Sequence, residues 1–392
     1  MSDLPTQFIS LLRRSPAPYF FWCSPEGEVM MGAGSRWESK PSPSENWRAW
    51  AEGDCEPEAD IPVISLAFFT PEAEVSTEWE GFSPIEFYQP AIAIHVKGGA
   101  AQYWGTDEAE LSSGAEAAPG IFSEAGAITV RSWNGDAYRE RVERALVLLR
   151  EGALEKVVIA RRSTLRLAQP FDLQRALKAM LKQPHAFSIC YSPDGKRFFL
   201  SATPERLGRI VAGQFETIAL AGTIPRQGES DADTLLSDEK ERKEHAYVVE
   251  MIRAAAESFA AEISIRDAQA LELPHVRHIM TGISGKMRDG RGMRHVIAAL
   301  HPTPAVAGTP RRDAQELIAE LEPFSRGLYA GCIGWFSGNG EGDAAVTIRS
   351  ALVRECEALV WAGAGIVKDS SAEAEELETR AKLQTMLDIL GA

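Results

Sequence analysis

The sequence predicts an α+β (α/β) protein, mixed sheets with helices packed on their outer sides, and three observations support this. Strand-like and helix-like stretches bunch separately along the chain, unlike the strict alternation of a regular βαβ wind. The amphipathic segment AYRERVERALVLLREG, from Ala137, stops at Gly152 and leads directly into KVVIARRSTLRL, from Lys156, so a helix hands over to a strand. At 392 residues and 45% hydrophobic content, the chain can bury a core large enough for one big domain.

Residues 1–130 hold most of the tryptophans and are broken by PSPSENW from Pro41 and GFSPIEF from Gly81. Between the breaks, the alternating runs IPVISLAFF and AIAIHVKGG read as strands. This third presents no cluster of reactive side chains. From Asp136 the period changes, with Val142, Ala145, Leu146 and Leu149 forming one helix face. Further strands are expected at Phe187–Tyr191, Phe198–Ala202, Phe215–Leu220, Ala330–Phe336, Ala344–Val353 and Ala358–Ala362. Helices are expected at Asp172–Leu181, Asp238–Ser258, Met293–Leu300, Arg311–Leu321 and Ala372–Leu390. No internal repeat or low-complexity segment interrupts this pattern.

A formal net charge of −15 argues against a general nucleic-acid or anionic-membrane surface, because such partners call for a positive field. An anionic small substrate would need local cations or a metal. The cysteines Cys23, Cys55, Cys190, Cys332 and Cys356 are scattered, with no CxxC pair or histidine at metal-ligand spacing, and read as reduced thiols. The N-terminal arginines follow a short apolar run, the wrong order for a secretory signal, and no long apolar stretch occurs. A cytoplasmic protein follows, with a monomer as the default because no coiled coil or interface helix stands out.

Two glutamate pairs are the most informative features. Glu241 and Glu244 lie three apart on an expected helix, about 60° apart around its axis. Glu375, Glu378 and Lys382 form a second stripe at i, i+3 and i+7. Facing helices carrying such pairs suit a hard, oxygen-loving cation, and Mg²⁺ fits better than Zn²⁺ because neither Cys nor His accompanies them. The same spacing beside Lys and Arg is also ordinary for a solvated helix face.

Lys156 opens the apolar strand KVVIA, where desolvation favours loss of its proton and action as a base. A lysine at such a position is more often a snorkelling surface residue. Glu205 follows Pro204 in a turn after RFFLSA, suited to an acid facing a cleft or to a plain loop glutamate. HPTPAVAGTP, from His301, is a rigid Pro-rich loop. WAGAGIV, from Trp361, lacks both GxGxxG and GxxxxGK[ST], and reads as backbone approaching a ligand or as tight packing.

KVVIARR, SATPERL, LAGTIPR, EKERKEH, HPTPAVAG, LEPFSRGLYAGCIGW, VTIRSAL and AGAGIV with ELETRAKL occur in the order found in chorismate-utilising enzymes. The set resembles the isochorismate synthases, especially those of catechol-siderophore pathways. It covers residues 135–392 densely, as a chorismate-binding core, and 1–130 only loosely. The resemblance implies one domain over residues 1–392, two stacked and mostly antiparallel sheets wrapped by helices, with the site in the cleft between them and the C-terminal helix across it.

It further implies Mg²⁺-dependent isomerisation of chorismate to isochorismate, an intramolecular hydroxyl transfer feeding 2,3-dihydroxybenzoate synthesis. Lys156 is then the base that activates water for attack at C2, and Glu205 the acid that protonates the departing C4 hydroxyl. Glu244 and Glu378 match the metal ligands, with Glu241 and Glu375 behind or beside them. Tyr329 and Arg349 match the residues that hold the enolpyruvyl carboxylate, while His278 and Lys382 line the substrate. Gly222, Thr223, Gly363, Ala364 and Gly365 match positions whose backbone runs close to it. Ala305 and Val306, after the HPTP motif, are placed to influence whether the product leaves as isochorismate. The motif usually read SPE is TPE here. A lysine at position 156 favours water over ammonia as nucleophile. The alternatives are a salicylate synthase, which goes on to expel pyruvate, a synthase of the menaquinone pathway, and a catalytically silent metabolite-binding protein.

Overall fold

The computed structural model describes residues 4–40, 61–71, 74–106, 128–132, 135–152, 154–226 and 232–391. Cys55 and the PSPSENW break lie outside them. The chain opens with helix α1 (Leu4–Arg14), then strands β1 (Tyr19–Cys23), β2 (Val29–Ala33), β3 (Trp37–Ser39), β4 (Val63–Ala67), β5 (Ile85–Gln89), β6 (Ile92–Lys97), β7 (Ala100–Trp104) and β8 (Ile128–Ser132). The middle contains α2 (Gly135–Arg150), β9 (Lys156–Leu167), α3 (Leu173–Met180), β10 (Phe187–Ser192), β11 (Arg197–Thr203), β12 (Arg206–Val211), β13 (Gln214–Pro225), α4 (Ala232–Ser237) and α5 (Glu239–Ala256). There follow β14 (Ala260–Ile265), β15 (Gln269–Glu272), β16 (Val276–Met287), α6 (Met293–Leu300), β17 (Gly308–Thr309) and α7 (Arg311–Leu321). The chain closes with β18 (Cys332–Phe336), β19 (Gly342–Val346), β20 (Ser350–Arg354), β21 (Glu357–Ile366) and α8 (Ala372–Gly391).

Among the described residues the strands form two sheets. The 11-stranded one runs β17-β9-β21-β20-β11-β10-β1-β2-β6-β7, with β8 also on β9. The 10-stranded one runs β14-β16-β13-β12-β19-β18-β4-β5-β3, with β15 also on β16. Every strand pair described is antiparallel. Strands from the N-terminal third extend both sheets.

Strands β1 and β2 of the first sheet are buried on both faces, which explains unbroken apolar runs such as YFFWC. Phe20 and Trp22 join the core shared with the second sheet, whereas Phe21 and Cys23 face α1, α3 and the C-terminal part of α8. The shared core includes the stacked rings of Trp79 and Trp361, centroids 5.5 Å apart. Truncating so large a buried ring typically costs about 3–5 kcal/mol.

Two hand-overs between the sheets position the site. The chain leaves β11 in the first sheet and enters β12 in the second through Pro204 and Glu205. It returns from β19 to β20 through Thr347, Ile348 and Arg349, the last with φ +48°. The sequence reads Ala344–Val353 as one strand, but this crossover divides it. A reversal of this kind leaves apolar composition unchanged, so periodicity does not reveal it. Helix α8 packs on β21 and β9 of one sheet and on β13 and β16 of the other.

Candidate active site

Helix α5 is capped by Asp238, whose carboxylate accepts the Glu241 N–H at 2.9 Å. Its buried stripe runs Glu241, Glu244, His245, Val248, Ile252 and Ala256, so two acids occupy the leading turns of an apolar face. Helix α8 repeats the device with Glu375, Glu378, Thr379 and Lys382 buried, while Leu377 is half exposed. These carboxylates therefore do not form a solvated face. They sit near helix N-termini, whose partial positive charge favours anions.

Three lysines hold the four acids. Lys156 Nζ lies 3.0 Å from Glu244 Oε1. Lys240 bridges the two helices, at 3.0 Å from Glu241 Oε1 and 2.8 Å from Glu375 Oε1. Lys382 meets Glu378 at 2.6 Å and donates to the Gly363 carbonyl at 3.0 Å. Burial, then the charge of Glu244, pushes Glu241 up to about 7. Burial, then Glu378, does the same to Glu375. For Glu244 burial also acts upward, but Lys156, Lys240 and Lys382 together hold it below the ordinary carboxylate range.

Such a set is chemically suited to a divalent cation, because added positive charge offsets both the mutual repulsion and the burial of these acids. Among the described residues no three His, Cys, Asp or Glu side chains are gathered as a metal cage.

Beside the acids lies a small, partly open cavity of about 40 Å³, room for a few waters. Of the residues singled out in the sequence, Glu205, Thr223, Glu244, His278, Ala305, Val306, Tyr329, Arg349, Gly363, Gly365 and Lys382 line it. Lys156 reaches this wall through Glu244. Glu241, Glu375 and Glu378 stand behind it, and Ala364 joins the apolar core instead of the lining. Val158, Leu220, Ala221, Ile348 and Ala362 also line the cavity. They were not legible in advance, being ordinary apolar or small residues, and neither was Lys240, although it sits within EKERKEH.

Glu205 is held by its turn. The Thr203 hydroxyl donates to the Val346 carbonyl at 2.7 Å and accepts the Glu205 N–H at 3.2 Å. The Thr303 hydroxyl, from the HPTP loop, donates to Glu205 Oε1 at 3.3 Å. Burial pushes the Glu205 carboxyl up to about 7, against the opposing pull of Thr303, Lys156, Arg349 and Lys382. At neutral pH a large fraction of it carries a proton, the state a general acid needs.

Opposite stands a relay of polar groups. Arg349 donates to Nε2 of His278 at 3.0 Å, so Nδ1 carries the proton and donates to the Thr223 hydroxyl oxygen at 2.8 Å. Burial, with Arg349 and Lys382 nearby, holds the imidazole well below its ordinary pKa and neutral. Burial also lowers Arg349 to about 10, which leaves the guanidinium charged at neutral pH. The Tyr329 ring is fixed by stacking on Trp361 at 6.0 Å and 11°.

Three glycines allow the close approach. Gly222, at φ +76° in a bulge of β13, would place a Cβ 2.7 Å from the Glu241 carbonyl oxygen. A Cβ on Gly363 would lie 2.9 Å from the Tyr329 hydroxyl. On Gly365 it would fall 2.1 Å from Glu244 Oε1. WAGAGIV is thus strand β21, with glycines where acid, lysine and phenol crowd its backbone.

The chain has clear relatives. A family model described as "Chorismate binding enzyme" matches residues 3–391. Isochorismate synthase MenF of Bacillus subtilis (strain 168) is 31% identical, over 95% of this chain and 88% of that protein. Among solved structures, DhbC from Bacillus anthracis, assigned as a 2,3-dihydroxybenzoate-specific isochorismate synthase, has a TM-score of 0.78 at 25% identity. The match covers 98% of this chain and 99% of that one. MenF, the menaquinone-specific isochorismate synthase from Escherichia coli, has a TM-score of 0.79 at 25% identity, covering 98% and 91%.

Proposed function

The chain belongs to the chorismate binding enzyme family, and on that premise we propose that it converts chorismate to isochorismate in a Mg²⁺-dependent reaction. The observation that carries this reading is the placement of Glu205, pushed up to about 7 by burial, on the same cavity as Glu244, the partner of Lys156. An acid and a base are then available around one cavity, as a hydroxyl exchange requires.

In this reading Lys156 takes a proton from water as the water oxygen bonds to C2. The ring double bonds shift and Glu205 gives its proton to the C4 hydroxyl, which leaves as water. One water is consumed and one released, so the reaction is an isomerisation. Arg349 and Tyr329 hold the enolpyruvyl carboxylate, and the neutral His278 fixes the guanidinium through Nε2. Glu244 and Glu378 would hold the Mg²⁺, with Glu241 and Glu375 behind them. When bound, the ion supplies positive charge to the ring carboxylate. Arg349, Lys240 and Lys382 provide the local cations that an acidic protein needs for a dianionic substrate.

The test is incubation of purified protein with chorismate and Mg²⁺, with and without EDTA, followed by chromatography. Isochorismate formed only with the metal supports the reading. Salicylate with pyruvate assigns a salicylate synthase, and no product leaves a binding protein.

We assign the product to 2,3-dihydroxybenzoate and catechol-siderophore synthesis, a reading supported by the end-to-end likeness to the Bacillus anthracis DhbC structure. A second reading, supply of menaquinone, is favoured by the reach of the Bacillus subtilis MenF match over 95% of the chain. Complementation separates them: growth under iron limitation in a siderophore mutant, against restored quinone in a menaquinone mutant. A cytoplasmic monomer completes the proposal. Among the described residues Cys23, Cys190, Cys332 and Cys356 are free thiols, as a reducing compartment allows, and no helix is long and apolar enough to cross a membrane.

A further inference from the structure

Strand β9 carries Lys156 at its start and Val158 on the cavity wall, and one of its edges is covered unusually. Among the described residues β17 pairs only with Lys156 and Val157, and β8 only from Thr164 onward. An unpaired stretch of buried backbone between them would be costly. Val158 N–H donates to the Ala307 carbonyl at 2.8 Å. Beyond that point side chains take over the ladder. Ala160 N–H donates to Glu322 Oε1 at 2.7 Å, and Arg326 Nη2 donates to the Val158 carbonyl at 2.7 Å.

The same guanidinium donates through Nη1 to the Val306 carbonyl at 2.8 Å and through Nε to Glu322 Oε2 at 2.8 Å. Its Cζ lies 4.2 Å from the centroid of the Phe69 ring. The Arg326 carbonyl accepts the Tyr329 N–H at 2.9 Å. Both charged side chains are about 2% exposed. Three cavity-lining residues, Val158, Val306 and Tyr329, are therefore tied to one arginine.

We infer that Glu322 and Arg326 are positioning residues for the reaction. As a single buried ion pair they stand in for a neighbouring strand, clamp β9 to the Thr303–Ala307 loop, and so set the spacing of the cavity walls against which substrate is held. The inference rests on the cavity being the chorismate site. Only arginine supplies the fork this requires, since two carbonyls and a carboxylate in different directions need fixed, divergent donors.

The test compares kcat and KM for chorismate in the wild type, Arg326→Lys and the double variant Glu322→Met/Arg326→Met, with amide hydrogen exchange of segments 156–160 and 303–307. The double variant guards against misfolding, because apolar residues of similar volume often replace a buried ion pair without loss of stability. The expected result is faster exchange in both segments and kcat/KM lower by about 10²-fold, a size that small misplacements produce, carried mainly by KM. An unchanged KM in a folded variant overturns the inference and leaves the pair a stabilising one. If the wild type does not turn over chorismate, the functional reading fails separately. Unchanged exchange in the two segments would then still overturn the clamp.

Discussion

Lys156 and Glu244 form a buried ion pair, with Nζ 3.0 Å from Oε1, and the lysine helps hold the Glu244 carboxyl below the ordinary carboxylate range. It comes from the start of β9, the acid from the second turn of α5, and Gly365 leaves room between them.

Replacement of Lys156 by alanine should leave a folded protein whose conversion of chorismate falls by about 10²–10⁴-fold, the usual contribution of a positioned base. Chromatographic product assays together with circular dichroism check this. Full conversion by a folded Lys156→Ala protein would remove the lysine from the mechanism.

The acid step has a defined pH signature. Glu205 must be protonated to act, and with its carboxyl at about 7 the rate should decline as pH rises through that value. Glu205→Gln should lower kcat by about 10²–10⁴-fold and abolish this alkaline limb. Stability falls over the same pH range. The folded carboxyl titrates above its unfolded value of 4.5, so its favourable contribution is complete below 4.5 and is lost as pH rises through about 7. Glu205→Gln should therefore match the wild type at low pH and exceed it above neutrality, by up to about 3 kcal/mol. Denaturant unfolding on both sides of neutrality decides it. Equal stability of the two proteins at alkaline pH would refute the burial account.

Chelation should abolish turnover, and Mg²⁺ should restore it. Because the ion would bind only the folded state, an excess of about 100-fold over Kd should add about 2.7 kcal/mol of stability. Glu378→Gln should lose most of that increment. A thermal unfolding midpoint indifferent to Mg²⁺ would count against the four-glutamate site.

Gly365→Ala tests the crowding around β21. A methyl group 2.1 Å from Glu244 Oε1 and 2.8 Å from Lys156 Cε must push the pair apart. Activity should fall by about 10²-fold or more, as misplacement of reacting groups does. An unaffected rate would show that the pair tolerates displacement.

Much of this architecture is legible in the chain. The helices at Met293–Leu300 and Arg311–Leu321 coincide with their expected bounds, and those bearing the glutamates differ by only one or two residues. Their carboxylates were ambiguous because i, i+3 spacing specifies a shared face but not whether that face meets water or protein. Strand β16 was missed. Its Gly282 and Gly285 imitate loop punctuation, whereas they admit Arg266 and the Ala261 carbonyl against the sheet. Helix α1 was also missed, its short apolar run being read only for targeting. The clamp of Glu322 and Arg326 lies inside a stretch that the sequence marks as distinctive, but which backbone groups it grips depends on strands far away in the chain.

The hand-overs at Glu205 and Arg349 bear on how the protein matures. Each residue belongs to neither sheet alone, so each acquires its final surroundings only when the two layers have docked in register. During refolding, helical and strand signals should recover ahead of catalysis, and a nicked or half-assembled chain could retain much of its regular structure while being chemically inert. Enzymatic activity is therefore a stringent gauge of complete assembly for this molecule.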